Sequence, residues 1–147
     1  MGWPFLVAAL LASCDWDGTL GPPPGLPHAA AARSCAPDDG PAVDIYLATA
    51  RIEALAPAVP YVRLTIWQPL AAIRGRTWTL STGSSEGAAQ LVTQTDTFES
   101  ASAGTVNITA VLPDTTVEGT VSLRFARAGR VRGTFRGTWI SRSALCG

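Results

Sequence analysis

The groups with which this chain could do chemistry are few. It carries one histidine, His28, three cysteines and eleven carboxylates, and all eleven of its basic residues are arginine. His28 lies in a proline-, glycine- and alanine-rich stretch, so a Ser-His-Asp or Cys-His site would have to recruit a residue from outside the expected fold. Without lysine there is neither a Ser-Lys dyad nor a Schiff base. Two carboxylates can hydrolyse a glycoside, but Asp96 and Glu99 sit together near a strand end, an arrangement common on protein surfaces. Asp38, Asp39 and Asp44 offer oxygen ligands for calcium, yet no EF-hand or repeat spacing frames them. They read as a turn after Cys35. Zinc lacks ligands, because there is a single histidine and no close cysteine pair. Residues 83–87 are too loose a glycine pattern for a phosphate loop. The chain is therefore expected to act without catalysis, cofactor or metal.

Charge and aromatics leave two candidate binding features. The formal net charge is zero, which gives no global pull towards nucleic acid. Its distribution is uneven: Arg124, Arg127, Arg130, Arg132, Arg136 and Arg142 face no acid over the last 24 residues, whereas the rest sets five arginines against eleven acids. Arg124, Arg130, Arg132 and Arg136 could dock on acidic lipid headgroups, an anionic wall polymer or an acidic protein. The competing expectation is a solvated sheet face balanced by carboxylates such as Asp96 or Glu99. Nucleic acid is not expected, since basic and aromatic residues are not interleaved. Trp67 falls in phase with Tyr61, Arg63 and Thr65, opposite Val62, Leu64 and Ile66, so Tyr61 and Trp67 are candidates for stacking on a sugar or partner.

The first thirteen residues, MGWPFLVAALLAS, contain an apolar run from Trp3 to Ala12. It falls short of the about 20 apolar residues that a membrane-crossing helix needs, but it has the length of a secretory signal's apolar region. It ends in Leu11-Ala12-Ser13-Cys14, which resembles the lipobox of bacterial lipoproteins. That resemblance implies diacylglycerol on the Cys14 thiol, cleavage before Cys14 and acylation of the new amino group. It also implies a place in the cell envelope, held by lipid to the outer membrane or to the periplasmic face of the inner membrane. Myristoylation fits less well, because Leu6 stands where Ser or Thr is required. With Cys14 lipidated, Cys35 and Cys146 remain as an even pair at the two ends of the domain. An envelope compartment allows them to oxidise.

Residues 1–13 are thus expected to be a signal peptide. Residues 14–34, rich in Pro, Gly and Ala, are expected to be a tether, and residues 35–147 one β domain. Only residues 50–56 hint weakly at a helix. Short Val- and Thr-rich runs at 43–50, 61–68, 76–81, 90–98, 105–112, 117–126 and 130–141 alternate with turn residues. They predict an all-β fold, an antiparallel sandwich or small barrel of about seven strands ending in a meander. In the last three strands, alternation turns Val106, Ile108, Ala110 and Leu112 inward, then Val117, Val121, Leu123 and Phe125, then Val131, Phe135 and Trp139. An Arg127-Ala128-Gly129 loop with positive φ at Gly129 would pair Ala126 with Arg130. That register sets Arg124 opposite Arg132, and Gly119 opposite Gly137. Two facing glycines would leave a notch, either filled by a large side chain or open to a ligand.

Overall fold

The computed structural model describes residues 21–112, 115–141 and 143–147, so Cys14 and the leader lie outside the described residues. The described residues are all-β and form a single curled mixed sheet. Its strands are β1 (His28–Cys35), β2 (Pro41–Ala48), β3 (Tyr61–Ile66), β4 (Arg76–Thr79), β5 (Gly87–Gln94), β6 (Thr97–Ser100), β7 (Ala103–Leu112), β8 (Thr116–Phe125) and β9 (Gly129–Trp139). They lie in the order β4-β7-β8-β9-β1-β2-β3-β5-β6. All neighbours are antiparallel except β1 and β9, which pair in parallel through Ala30 with Thr138 and Ala31 with Trp139.

Among the described residues nine strands in one sheet stand where about seven were expected, and the sheet curls into a half-barrel, neither a sandwich of two sheets nor a closed small barrel. Curling is concentrated where β6 runs into β7. Ala101 N–H donates to Ala89 O of β5, and the next residue, Ser102, donates to Arg124 O of β8. One nearly continuous strand therefore belongs to both ends of the sheet. Leu80 N–H to Gly104 O and Thr82 N–H to Ala101 O bring the chain after β4 to the same corner. The concave side holds the core, with Val43, Ile45, Leu64, Ile108, Leu123 and Phe125 almost wholly excluded from solvent. The meander β7-β8-β9 has the expected connectivity.

The two additional strands have separate causes. A Thr95-Asp96 turn divides one expected strand into β5 and β6. The other, β1, takes up the second half of the described part of the expected tether. Ala30, Ala31 and Ala32 are at most 1% exposed, between β2 and β9. Small side chains suit this place: a Cβ added at Gly137 on β9 would lie 3.1 Å from the Ala30 carbonyl carbon. The fold begins earlier still. Thr134 N–H donates to Gly21 O, and a Cβ at Gly133 would lie 2.5 Å from Pro23 N. Leu26 joins the core. The domain thus starts by residue 21, not at Cys35. Residues 50–56 form no helix; Ile52 and Leu55 of that loop pack on the convex face.

Two local shifts alter which residues meet. A bulge between Ile108 and Ala110 on β7 reverses the alternation beyond it, as an extra residue in one strand must. Val111 therefore packs against the core and Leu112 is 49% exposed, the opposite of the sequence pattern. In the β8–β9 hairpin the loop is residues 126–128. Gly129, at φ 87°, already pairs with Phe125. The three-residue loop thus starts one residue earlier than expected, which moves every β9 partner by two, so Gly119 faces Phe135, Val121 faces Gly133 and Val117 faces Gly137. The inward faces stay the same, but no two glycines face each other.

No glycine notch forms. A Cβ at Gly119 would collide with Asn107 O and lie 2.9 Å from Phe135 Cζ. Gly119→Ala is expected to destabilise the domain by about 1–3 kcal/mol, because backbone and a packed ring must both give way. Urea unfolding checks this; an unchanged midpoint at unchanged slope would contradict the packing.

Cys35, closing β1, is bonded to Cys146, with Cα atoms 5.5 Å apart and 111 positions of sequence between them. The chain after β9 also stays beside β1, where Ile140 N–H donates to Ala31 O. The end of the chain is thereby fastened to the centre of the sheet.

Candidate functional site

Four strands, β4, β7, β8 and β9, present a polar convex face. Pairing aligns Thr77, Asn107, Thr120 and Thr134 in one row, and Thr79, Thr105, Ser122 and Arg132 in the next. Asn107 Nδ2–H donates to Thr77 Oγ1 at 3.1 Å. The arginines gather at the β8–β9 end. Arg124 stands directly opposite Arg130, and Arg132 is opposite Ser122 one rung along that face. The expected pairing of Arg124 with Arg132 is replaced by this one because the hairpin loop starts one residue earlier. All three are exposed and border an open depression of about 450 Å³ with Ser122, Ala103 and Gly104.

Like charges directly across a ladder repel. Among the described residues no carboxylate pairs with Arg124, Arg130 or Arg132. Arg136 differs, since its Nε lies 3.2 Å from Glu118 Oε1 in a pair largely open to solvent. The two carboxylates expected to balance the face do not do so. Glu99 Oε1 accepts from the Arg127 backbone N–H at 2.7 Å, and Asp96 lies in the β5–β6 turn. Three uncompensated guanidinium groups around a hydroxyl form an anion-receptive surface, because each offers forked donors that match phosphate or carboxylate oxygens.

The aromatic candidates are separated. Tyr61 is 9% exposed and packs with Tyr46, Ala48 and Val92 in a small cluster on the convex face. Its ring centroid is 5.9 Å from that of Tyr46. It is therefore not the exposed stacking platform suggested by its phase. Trp67 lies beyond the other end of β3, half-buried, beside a depression of about 580 Å³ lined by Pro37, Pro41, Gln68 and Pro69. About 20 Å of strand separates the two aromatics at 3.3 Å per residue. They do not form one site.

Sequence reasoning missed a polar cluster between the aromatics. Asp44 is 0% exposed, in the middle of an otherwise apolar β2. Its Oδ2 accepts from Arg63 Nε at 3.1 Å, Arg63 Nη2 at 2.8 Å and the Tyr46 hydroxyl at 3.1 Å. The Thr65 hydroxyl donates to Oδ1 at 2.7 Å. Burial works against the charged guanidinium, but the Asp44 charge and hydrogen bonds outweigh it and raise the Arg63 pKa above the ordinary arginine value. A lone aspartate inside PAVDIYLA was the available signal. Asp44 is thus committed to an arginine and is not free to join Asp38 and Asp39 around a cation. Asp38 Oδ1 itself accepts from Gly40 N–H.

His28 opens β1 at an exposed position instead of lying in a tether. Among the described residues no three His, Cys, Asp or Glu side chains are grouped to hold a metal ion. No described helix is long and apolar enough to cross a membrane. The arginine surface is therefore the strongest candidate site in the described chain. Comparison with protein-family models, curated proteins and solved structures finds no match to this chain.

Proposed function

We propose that this chain is a lipid-anchored, non-catalytic interaction module of the bacterial cell envelope, working through the arginine surface of β8 and β9. One observation carries the interaction reading: Arg124, Arg130 and Arg132 converge on an exposed sheet face with no protein counter-charge among the described residues. A sheet that tolerates an Arg124–Arg130 rung gains from an external anion. The lipobox-like Leu11-Ala12-Ser13-Cys14 supports the anchor. The Cys35–Cys146 bond is compatible with an oxidising compartment.

Glycan or small-ligand binding was the competing proposal, through Trp67, Tyr61 or the glycine notch. Burial of Tyr61 and the Phe135 ring beside Gly119 remove two of those three supports. Open depressions lie beside Trp67, beside Tyr61 and beside Gly119, but they are separate and do not bring the two aromatics into one site.

The anchor is tested by metabolic labelling with palmitate in a bacterial host. Label is expected on the wild-type protein and is expected to vanish on Cys14→Ala. Persistent label on the variant would defeat the assignment.

A further inference from the structure

We propose that the surface formed by Arg124, Arg130 and Arg132 rests on anionic phospholipid headgroups of the same bilayer that holds the lipid on Cys14. The lipid thereby sets where the domain is, and the arginines set how it lies. This rests on the lipoprotein reading above.

Chain length supplies the first argument. Gly21 is already part of the fold, its carbonyl held by Thr134 N–H, and Pro23 is packed on Gly133. Only residues 15–20 separate Cys14 from that point. Seven Cα–Cα steps reach at most about 25 Å. A tether running to Cys35 would let the domain tumble well clear of the surface; this shorter one keeps it within about its own width.

Position supplies the second. Gly21 joins the sheet at Thr134, on the strand that carries Arg130 and Arg132. Arg132 is two residues from the junction. Arg130 is four away, about 13 Å along an extended strand. Gly21 and Pro23 lie on the inward side of Gly133, so the point nearest the anchor adjoins the strand that carries the unpaired arginines, which project from its other face within reach of the short tether.

Charge supplies the third. At this end, among the described residues, Arg124, Arg127, Arg130 and Arg132 outnumber the nearby carboxylates, which are Glu99, bonded to the Arg127 backbone, and Asp96, in the turn before Thr97, which shares a depression with Arg127. β1 and β9 run in parallel, so the Asp38 and Asp39 turn following β1 lies towards the opposite end. An anionic surface attracts the arginine end and repels the other, and nearby arginines gain from its negative potential within a Debye length.

The test uses the mature lipidated protein reconstituted in phosphatidylethanolamine vesicles, with or without phosphatidylglycerol. Arginine modification by phenylglyoxal is followed peptide by peptide. Exposed Arg51 and Arg74 serve as internal references. Arg124, Arg130 and Arg132 are expected to react about fivefold more slowly on the anionic vesicles, the protection disappearing in high salt. Equal rates on both vesicles, with the lipid mass present on the Cys14 peptide, overturn the headgroup contact and leave the anchor standing. Absence of that lipid mass overturns the anchor and this inference with it. Protection by dissolved polyphosphate but not by anionic vesicles also overturns it, in favour of a free anionic polymer.

Discussion

Loss of the Cys35–Cys146 bond is expected to lower the stability of the domain by about 4–5 kcal/mol. The bond spans 111 positions, and cross-linking a loop of that size removes a large share of the unfolded chain's freedom in the chain-entropy model. Its placement adds a native-state contribution. Cys35 ends the central strand β1, while Cys146 belongs to a segment without strand structure of its own. Cutting the bond frees that segment from one end of β1. A single small domain has few kcal/mol to spare, so the reduced protein should unfold at much lower denaturant. The measurement is equilibrium unfolding of the oxidised protein against Cys35→Ser/Cys146→Ser. Coincident midpoints would show that the sheet alone determines the stability.

How far the sequence disclosed this fold depends on what each segment's side chains had to satisfy. β8 and β9 were legible because one face is buried and the other wet, so Val121, Leu123 and Phe125 alternate with Ser122 and Arg124. β1 was not legible. Four consecutive alanines have no alternation and poor strand propensity. Their place is dictated by the close approach of β9, where Gly137 meets Ala30, and only the three-dimensional arrangement reveals this. The bulge at Thr109 had no local signal, and it inverted the assignments of Ala110 and Leu112.

The candidate site divides along the same line. The arginine excess was visible as composition. Its geometry depended on whether Gly129 is the last loop residue or the first ladder residue, and that two-residue difference replaces Arg132 by Arg130 opposite Arg124. Asp44 was conspicuous as the one acid in an apolar strand. Recognising Arg63 and Thr65 as its partners required knowing that Asp44 pairs with Thr65 across β2 and β3. The cysteine pairing followed from counting once Cys14 was set aside, because thiol parity is independent of strand register.

Substitution of Arg63 by Met is the second large effect expected, and it tests what specifies the β2–β3 ladder. Asp44 is 0% exposed, whereas the Arg63 side chain is 37% exposed. Removing the guanidinium leaves a carboxylate that water cannot reach, with hydroxyl donors alone. Breaking a buried ion pair from one side generally costs about 3–5 kcal/mol. Solvent screening at Arg63 places this case lower, at about 2–3 kcal/mol. Asp44→Asn/Arg63→Met should recover part of that loss, since the neutral side chain no longer needs a counter-charge. A double-mutant cycle should then yield a coupling of about 1 kcal/mol or more; strict additivity would contradict a direct interaction. The pH dependence has a definite sign. Because folding raises the Arg63 pKa, its share of the stability is fully present below the ordinary arginine value and fades only as pH climbs through the raised one. No alkaline weakening from this group is expected near neutrality. The pair also opposes slippage: shifting β3 by one residue would turn Arg63 and Thr65 towards the concave core and leave Asp44 facing Leu64 or Ile66. We therefore expect Arg63→Met to broaden the amide resonances of β2 and β3 while leaving those of β8 and β9, and with them the arginine surface, unchanged.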